Sequence, residues 1–164
     1  MRAMTGSDMT RDQMIAHLRT ANDVAREAAE HKHHPFGAIL VASDGRVLMR
    51  QANIGTVRHA ETEIARRAAD AYEPEYLWQS TMVTTCEPCA MCTGTLYWAN
   101  IGRLVYGLEE TALLALTGDH AANPTMSLSC RAVLAAGQKP IEVVGPFPEI
   151  EAELLAPHRD FWKR

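Results

Sequence analysis

The sequence predicts an α/β fold, a β-sheet covered by helices on both faces. Three observations predict it. Short apolar, β-branched stretches alternate along the chain with stretches whose apolar residues recur at helical spacing. Glycine, proline and aspartate punctuate the joints between them. The 164 residues are 47% apolar and 22% charged, enough for one domain with a substantial core and too few for two comfortable ones.

The elements follow in order. Residues 1–9 read as a loose polar end, followed by a single domain over 10–164. From about Thr10 to His31, Met14, Ile15, Leu18, Ala21, Val24, Ala25 and Ala28 recur at helical spacing, an amphipathic helix. "FGAILVAS" and "RVLMRQA" read as strands of a hairpin turning at Asp44 and Gly45. Ala60 to Ala71 is helical, and "STMVTT" is a strand. Pro88 suits the first turn of the next helix, where its missing N–H costs nothing; that helix runs to about Ala99. "GRLVYG" is a strand, Thr111 to Leu116 a short helical piece, and "TGDHAANP" a loop. Ser127 to Ala136 is expected to be helical, "IEVVG" the last strand and Glu149 to Phe161 the last helix.

Composition narrows the function. A formal net charge of −4 gives no global pull toward nucleic acid or anionic membrane. No apolar run reaches spanning length, and the first residues lack the apolar stretch of a signal peptide. A cytoplasmic protein is expected, and in a reducing compartment clustered cysteines are ligands or catalysts more often than disulfides.

"TTCEPCAMC" places Cys86, Cys89 and Cys92 three apart. With Cys89 and Cys92 in the first turn of the helix opened by Pro88, the two thiols share a face and the helix dipole favours thiolates there. Cys86, at a strand end before the proline, is the weaker ligand candidate. "RHAETE" supplies the remaining parts: His59 opens a second helix and Glu61 follows two residues later. An H-x-E with a downstream P-C-x-x-C is the signature of zinc-dependent deaminases, and 30 residues from His59 to Cys89 leave room for a helix, a connection and a strand. Three ligands, His59, Cys89 and Cys92, leave a fourth position for water, which marks a catalytic zinc site. Glu61, beside the metal and not bound to it, is the expected proton carrier.

On these residues the chain, from about Pro35 to Gly107, resembles the cytidine deaminase-like superfamily. "PFGAILV", Asn53, "HAETEIAR", "CEPCAMC" and "IGRLVYG" are similar to the branch of bacterial guanine deaminases and tRNA adenosine deaminases. The resemblance implies a three-layer α/β/α fold with a central five-stranded mixed sheet, one Zn2+ per chain and a homodimer. It implies Asn53 as a hydrogen-bonding partner of the base. Phe36 of "PFG" and "LYWA" at 96–99 are closer to the guanine deaminases, whose tail helps close the site; Trp162 is the residue here that matches that role. Two features depart from the branch: "IGTVR" replaces the Asp-Pro-Thr that often precedes H-A-E, and "LEETALLALTGDHAANPTMSLSC" matches neither group. Glu109, Glu110 and Asp119 in that stretch are candidate substrate-binding acids, Glu110 foremost.

The "HKHH" of His31 to His34 reads as a polar helix end, with His34 near the pocket mouth. The expected substrate is a small heterocyclic amine: guanine, another aminopurine, an aminopyrimidine or a triazine. One alternative is a tRNA adenosine deaminase, for which Arg58, Arg66, Arg67 and Arg103 would form a basic patch. A more distant one is an iron–sulfur or structural metal protein built on Cys86, Cys89 and Cys92, with Cys130 remote from them.

Overall fold

The computed structural model describes residues 9–118, 120–159 and 161–163. Its elements are α1 (Arg11–Glu30), β1 (Gly37–Val41), β2 (Val47–Ala52), α2 (Ala60–Ala71), α3 (Pro74–Trp78), β3 (Thr81–Cys86), α4 (Ala90–Trp98), β4 (Arg103–Leu108), α5 (Glu110–Thr117), α6 (Cys130–Ala135), β5 (Glu142–Val144) and α7 (Glu151–Arg159). The five strands form one mixed sheet in the order β2-β1-β3-β4-β5. β1 pairs antiparallel with β2 and β3, and β3, β4 and β5 run parallel.

Every residue of β1, β3 and β4 is buried, so both faces of these strands are covered. Strand alternation divides the core in two. Ile39, Val83 and Val105 pack with Leu18 of α1 and Leu154 of α7. Leu40, Met82 and Leu104 pack with Ile64 of α2 and Leu96 of α4. The apolar stripe expected in the first helix is the buried stripe of α1, except that Ile15 is only half-buried at its edge. A capping box starts that helix: Thr10 Oγ1 accepts from Gln13 N, and Gln13 Oε1 accepts from Thr10 N. Gly37 lets α1 lie close on the sheet; a Cβ there would sit 2.4 Å from Ala21 O and 2.7 Å from Ala25 N.

Some expectations are corrected. Pro88 lies outside its helix: Cys89 is the N-cap of α4, with extended backbone, and the helix starts at Ala90. α6 begins at Cys130, after Ser129 accepts a hydrogen bond from Ala132 N at 3.1 Å, so residues 127 and 128 stay outside it. The final segment is a 3-10 turn (Pro148–Ile150), then α7, then a second 3-10 turn (Phe161–Lys163). α3 was not foreseen; its proline stands at the start of a helix of five residues. Of the loose N-terminal segment, residues 1–8 lie outside the described residues.

Candidate active site

The site gathers at the carboxyl end of β3 and the starts of α2 and α4. His59 is the N-cap of α2 and Cys89 the N-cap of α4; Cys92 lies one turn into α4. The packing of α2 against α4 on one face of the sheet brings these starts together. His59 Nδ1 is 3.7 Å from Cys89 Sγ and 3.4 Å from Cys92 Sγ, and the sulfurs are 3.6 Å apart. A tetrahedral zinc ion with bonds of about 2.3 Å to sulfur and about 2.0 Å to nitrogen sets sulfurs about 3.8 Å apart and sulfur and nitrogen about 3.5 Å apart. The three donors match that spacing and can hold one metal ion.

The electrostatics fit the same purpose. Cys89 is drawn down to about 4, chiefly by the hydrogen bond from Cys92 and, against the opposing effect of burial, by His59. Cys92 moves upward because it donates to Cys89 and is buried. Bound to a divalent cation in place of their shared proton, both would serve as thiolates. Thr62 Oγ1 donates to Cys92 Sγ at 3.1 Å, a support for a thiolate ligand that the spacing of the motif did not reveal.

Glu61 is buried and outside the ligand trio. Burial raises its pKa, and the hydrogen bond from Thr84 Oγ1, 2.6 Å to Glu61 Oε1, works in the opposite direction. Thr84 follows Met82 at the two-residue period of β3, which turns both toward α2. That period was a usable signal for Thr84.

A pocket opens over His59, Glu61 and Cys89. Its lining includes His34, Phe36, Glu87 and Glu110, and the segment Asn123–Met126 completes it. Glu110 is pushed up to about 7 by burial, then by the like charges of Cys89, Glu87 and Glu61. Cys86 also lines the pocket, buried and outside the ligand trio, with Sγ 4.0 Å from His158 Nε2. Burial raises its pKa well above the ordinary thiol value.

The other candidates lie further back. Asn53 is buried, its N–H donates to Phe36 O at 3.1 Å, and its Oδ1 has no hydrogen-bond partner among the described residues. Trp162 stands behind the lining, with its ring 4.7 Å from His34 and 6.4 Å from Phe36. Glu109 is the exposed N-cap of α5, and Asp119 lies outside the described residues. Of the four arginines of the alternative reading, Arg66 is exposed and the other three are engaged within the chain. Arg58 pairs with Glu63, Arg67 donates to Arg50 O and Gln51 Oε1, and Arg103 is buried against Glu142. Cys130 is buried in the core cluster of α2 and α4, apart from the trio. Sequence reasoning missed Glu87, on the turn that carries Cys89, and Asn123–Met126, which reach the pocket only through the packing of the chain after β4.

Comparison with known proteins follows this geometry. The family model for the cytidine and deoxycytidylate deaminase zinc-binding region matches residues 11–108. A probable cytosine deaminase of Schizosaccharomyces pombe is 36% identical over 152 residues, covering 90% of this chain and 91% of that protein. A tRNA-specific adenosine deaminase of Agrobacterium fabrum is 38% identical over 91 residues, 52% of this chain and 59% of that one. A guanine deaminase structure from Nitrosomonas europaea superposes over 96% of this chain and 88% of that one, with a TM-score of 0.67 and 17% identity, a likeness of fold.

Proposed function

We propose that this chain, which belongs to the cytidine and deoxycytidylate deaminase zinc-binding family, hydrolyses the exocyclic amine of a free nucleobase of the aminopyrimidine type, with cytosine as its model substrate. The observation that carries the hydrolytic reading is Glu61, buried two residues from His59, held by Thr84 and left outside the group of ligand atoms. His59, Cys89 and Cys92 hold the zinc. Zinc supplies Lewis acidity there and makes water a nucleophile at neutral pH. Glu61 takes a proton from the attacking water and returns protons, first to a ring nitrogen and then to the leaving amine. A carbon–oxygen bond forms, the exocyclic carbon–nitrogen bond breaks, ammonia leaves and a ring carbonyl remains.

The substrate reading draws on the part of the chain beyond the zinc motif. An alignment of 152 residues runs well past residue 108, through stretches that wall the pocket, and the relative it reaches bears a cytosine deaminase name. Asn53 Oδ1, buried behind the lining and without a partner among the described residues, is the acceptor we assign to a base N–H. Phe36 and His34 give a flat ring two edges to pack on, backed by Trp162. Glu110, with its raised pKa, is a hydrogen-bonding acid in the lining. Of the four arginines, Arg58, Arg67 and Arg103 are engaged within the chain and Arg66 is exposed, which offers little for an RNA-binding surface. We further assign a single domain, a reducing cytoplasmic setting that suits four unpaired cysteines, and a homodimer, for which Trp98, 80% exposed on α4, is a suitable contact.

Ammonia release tests the substrate. Zinc-loaded protein is offered cytosine, cytidine, guanine, adenine and unmodified tRNA. The expected result is turnover of cytosine, with kcat/KM at least about tenfold above the purines. Turnover of guanine in preference to cytosine contradicts the pyrimidine assignment, and turnover of tRNA alone contradicts a free-base substrate.

A further inference from the structure

Glu87 follows Cys86 and stands two residues before the ligand candidate Cys89, and the zinc signature gives it no task. The structure does. Its carboxylate lines the pocket. Glu87 Oε1 accepts from Glu110 N at 3.3 Å, and Oε2 accepts from Cys130 N at 3.0 Å. Those N–H groups belong to the first residues of α5 and α6. First-turn N–H groups have no partner within their own helix. α5 has no side-chain cap from Glu109, and Ser129 caps α6 at Ala132 N, which leaves Cys130 N to Glu87. The backbone adds a third tie, from Glu87 N to Leu108 O at 2.7 Å.

Between the two helices run residues 118–129, and Asn123–Met126 of that segment form a wall of the pocket. One carboxylate thus anchors the helices on both sides of the wall, from a turn that also carries Cys89. We propose that Glu87 is a positioning residue: its bidentate hold on α5 and α6 sets the Asn123–Met126 wall, and with it Glu110, against the zinc cradle. The inference deepens the function proposed above, and its effect on substrate affinity rests on that reading.

The test compares zinc-loaded wild-type protein with Glu87→Gln, which keeps one acceptor oxygen, and Glu87→Ala, which keeps none. Amide hydrogen exchange is followed in α5 and α6 together with KM and kcat for cytosine. The expected result is exchange about tenfold faster in the first turns of both helices in Glu87→Gln, and faster still in Glu87→Ala, with zinc retained. KM for cytosine rises about tenfold or more while kcat changes less. Ser129→Ala serves as comparator: it loosens α6 alone and leaves KM in place, which separates lost helix capping from a displaced wall. Unchanged protection in Glu87→Ala, or faster exchange with unchanged KM, overturns the proposal. A wild-type protein silent on cytosine defeats the substrate reading alone, and exchange then decides the anchoring.

Discussion

His158 shows how much one buried side chain organises. It is 1% exposed, its Nδ1 accepts from Trp162 Nε1 at 3.0 Å, and its Nε2 faces Cys86. Accepting at Nδ1 requires a neutral ring with its proton on Nε2. Burial, with a smaller effect of His34, lowers its pKa to about 4 from the ordinary 6.5. The unfolded chain therefore binds a proton at His158 between about 6.5 and about 4 that the folded chain refuses. The stability this group contributes is full above about 6.5 and is lost as pH falls toward about 4. Denaturant titrations across that range are expected to show a flatter loss of stability with acid in His158→Phe than in wild type. Equal slopes would mean that the imidazole titrates alike in both states. The metal motif was readable residue by residue because His59, Glu61, Cys89 and Cys92 carry their spacing in the chain. Only Trp162, four residues on, is a local partner of His158; Cys86 and Phe36 are far away in sequence and meet it only in the fold.

At the scale of elements, pattern was informative wherever an element was long or fully buried. The stripe of α1 was legible because one buried face writes a period of 3.6 into the sequence, and β1, β3 and β4 because burial of both faces leaves short continuous runs bounded by turn residues. α3, with five residues, is too short to display a period. The ends of α4 and α6 depend on which residue serves as cap, Cys89 or Ser129, and not on hydrophobic pattern. Gly37 is a point where a helix and a strand meet closely. A Cβ at 2.4 Å from Ala21 O cannot be relieved by a rotamer change, because the obstacle is backbone. Gly37→Ala must push α1 off β1, and we expect a loss of about 2–3 kcal/mol in unfolding free energy by denaturant titration. A loss below about 0.5 kcal/mol would show that the helix shifts freely on the sheet.

Across the whole molecule, the zinc cradle and the pocket wall have different origins. The cradle comes from α2, the end of β3 and α4, within the matched residues 11–108. Much of the wall comes from Glu110 and Asn123–Met126, and its aromatic backing from Trp162, all beyond that region. The sheet order brings these late segments over the early ones, since β4 and β5 continue the parallel half of the sheet beside β3. The chemistry was therefore legible in two short motifs, whereas the ring it serves depends on long-range packing that no local pattern records. The proposed reaction needs a metal held by His59, Cys89 and Cys92 to act with Glu61 in releasing ammonia. The most direct measurement is zinc content and ammonia release from cytosine, taken together on wild type and Glu61→Gln. We expect one zinc per chain in both, with turnover in the variant reduced about a thousandfold or more. A Glu61→Gln protein that holds zinc and turns over cytosine at the wild-type rate would contradict the account.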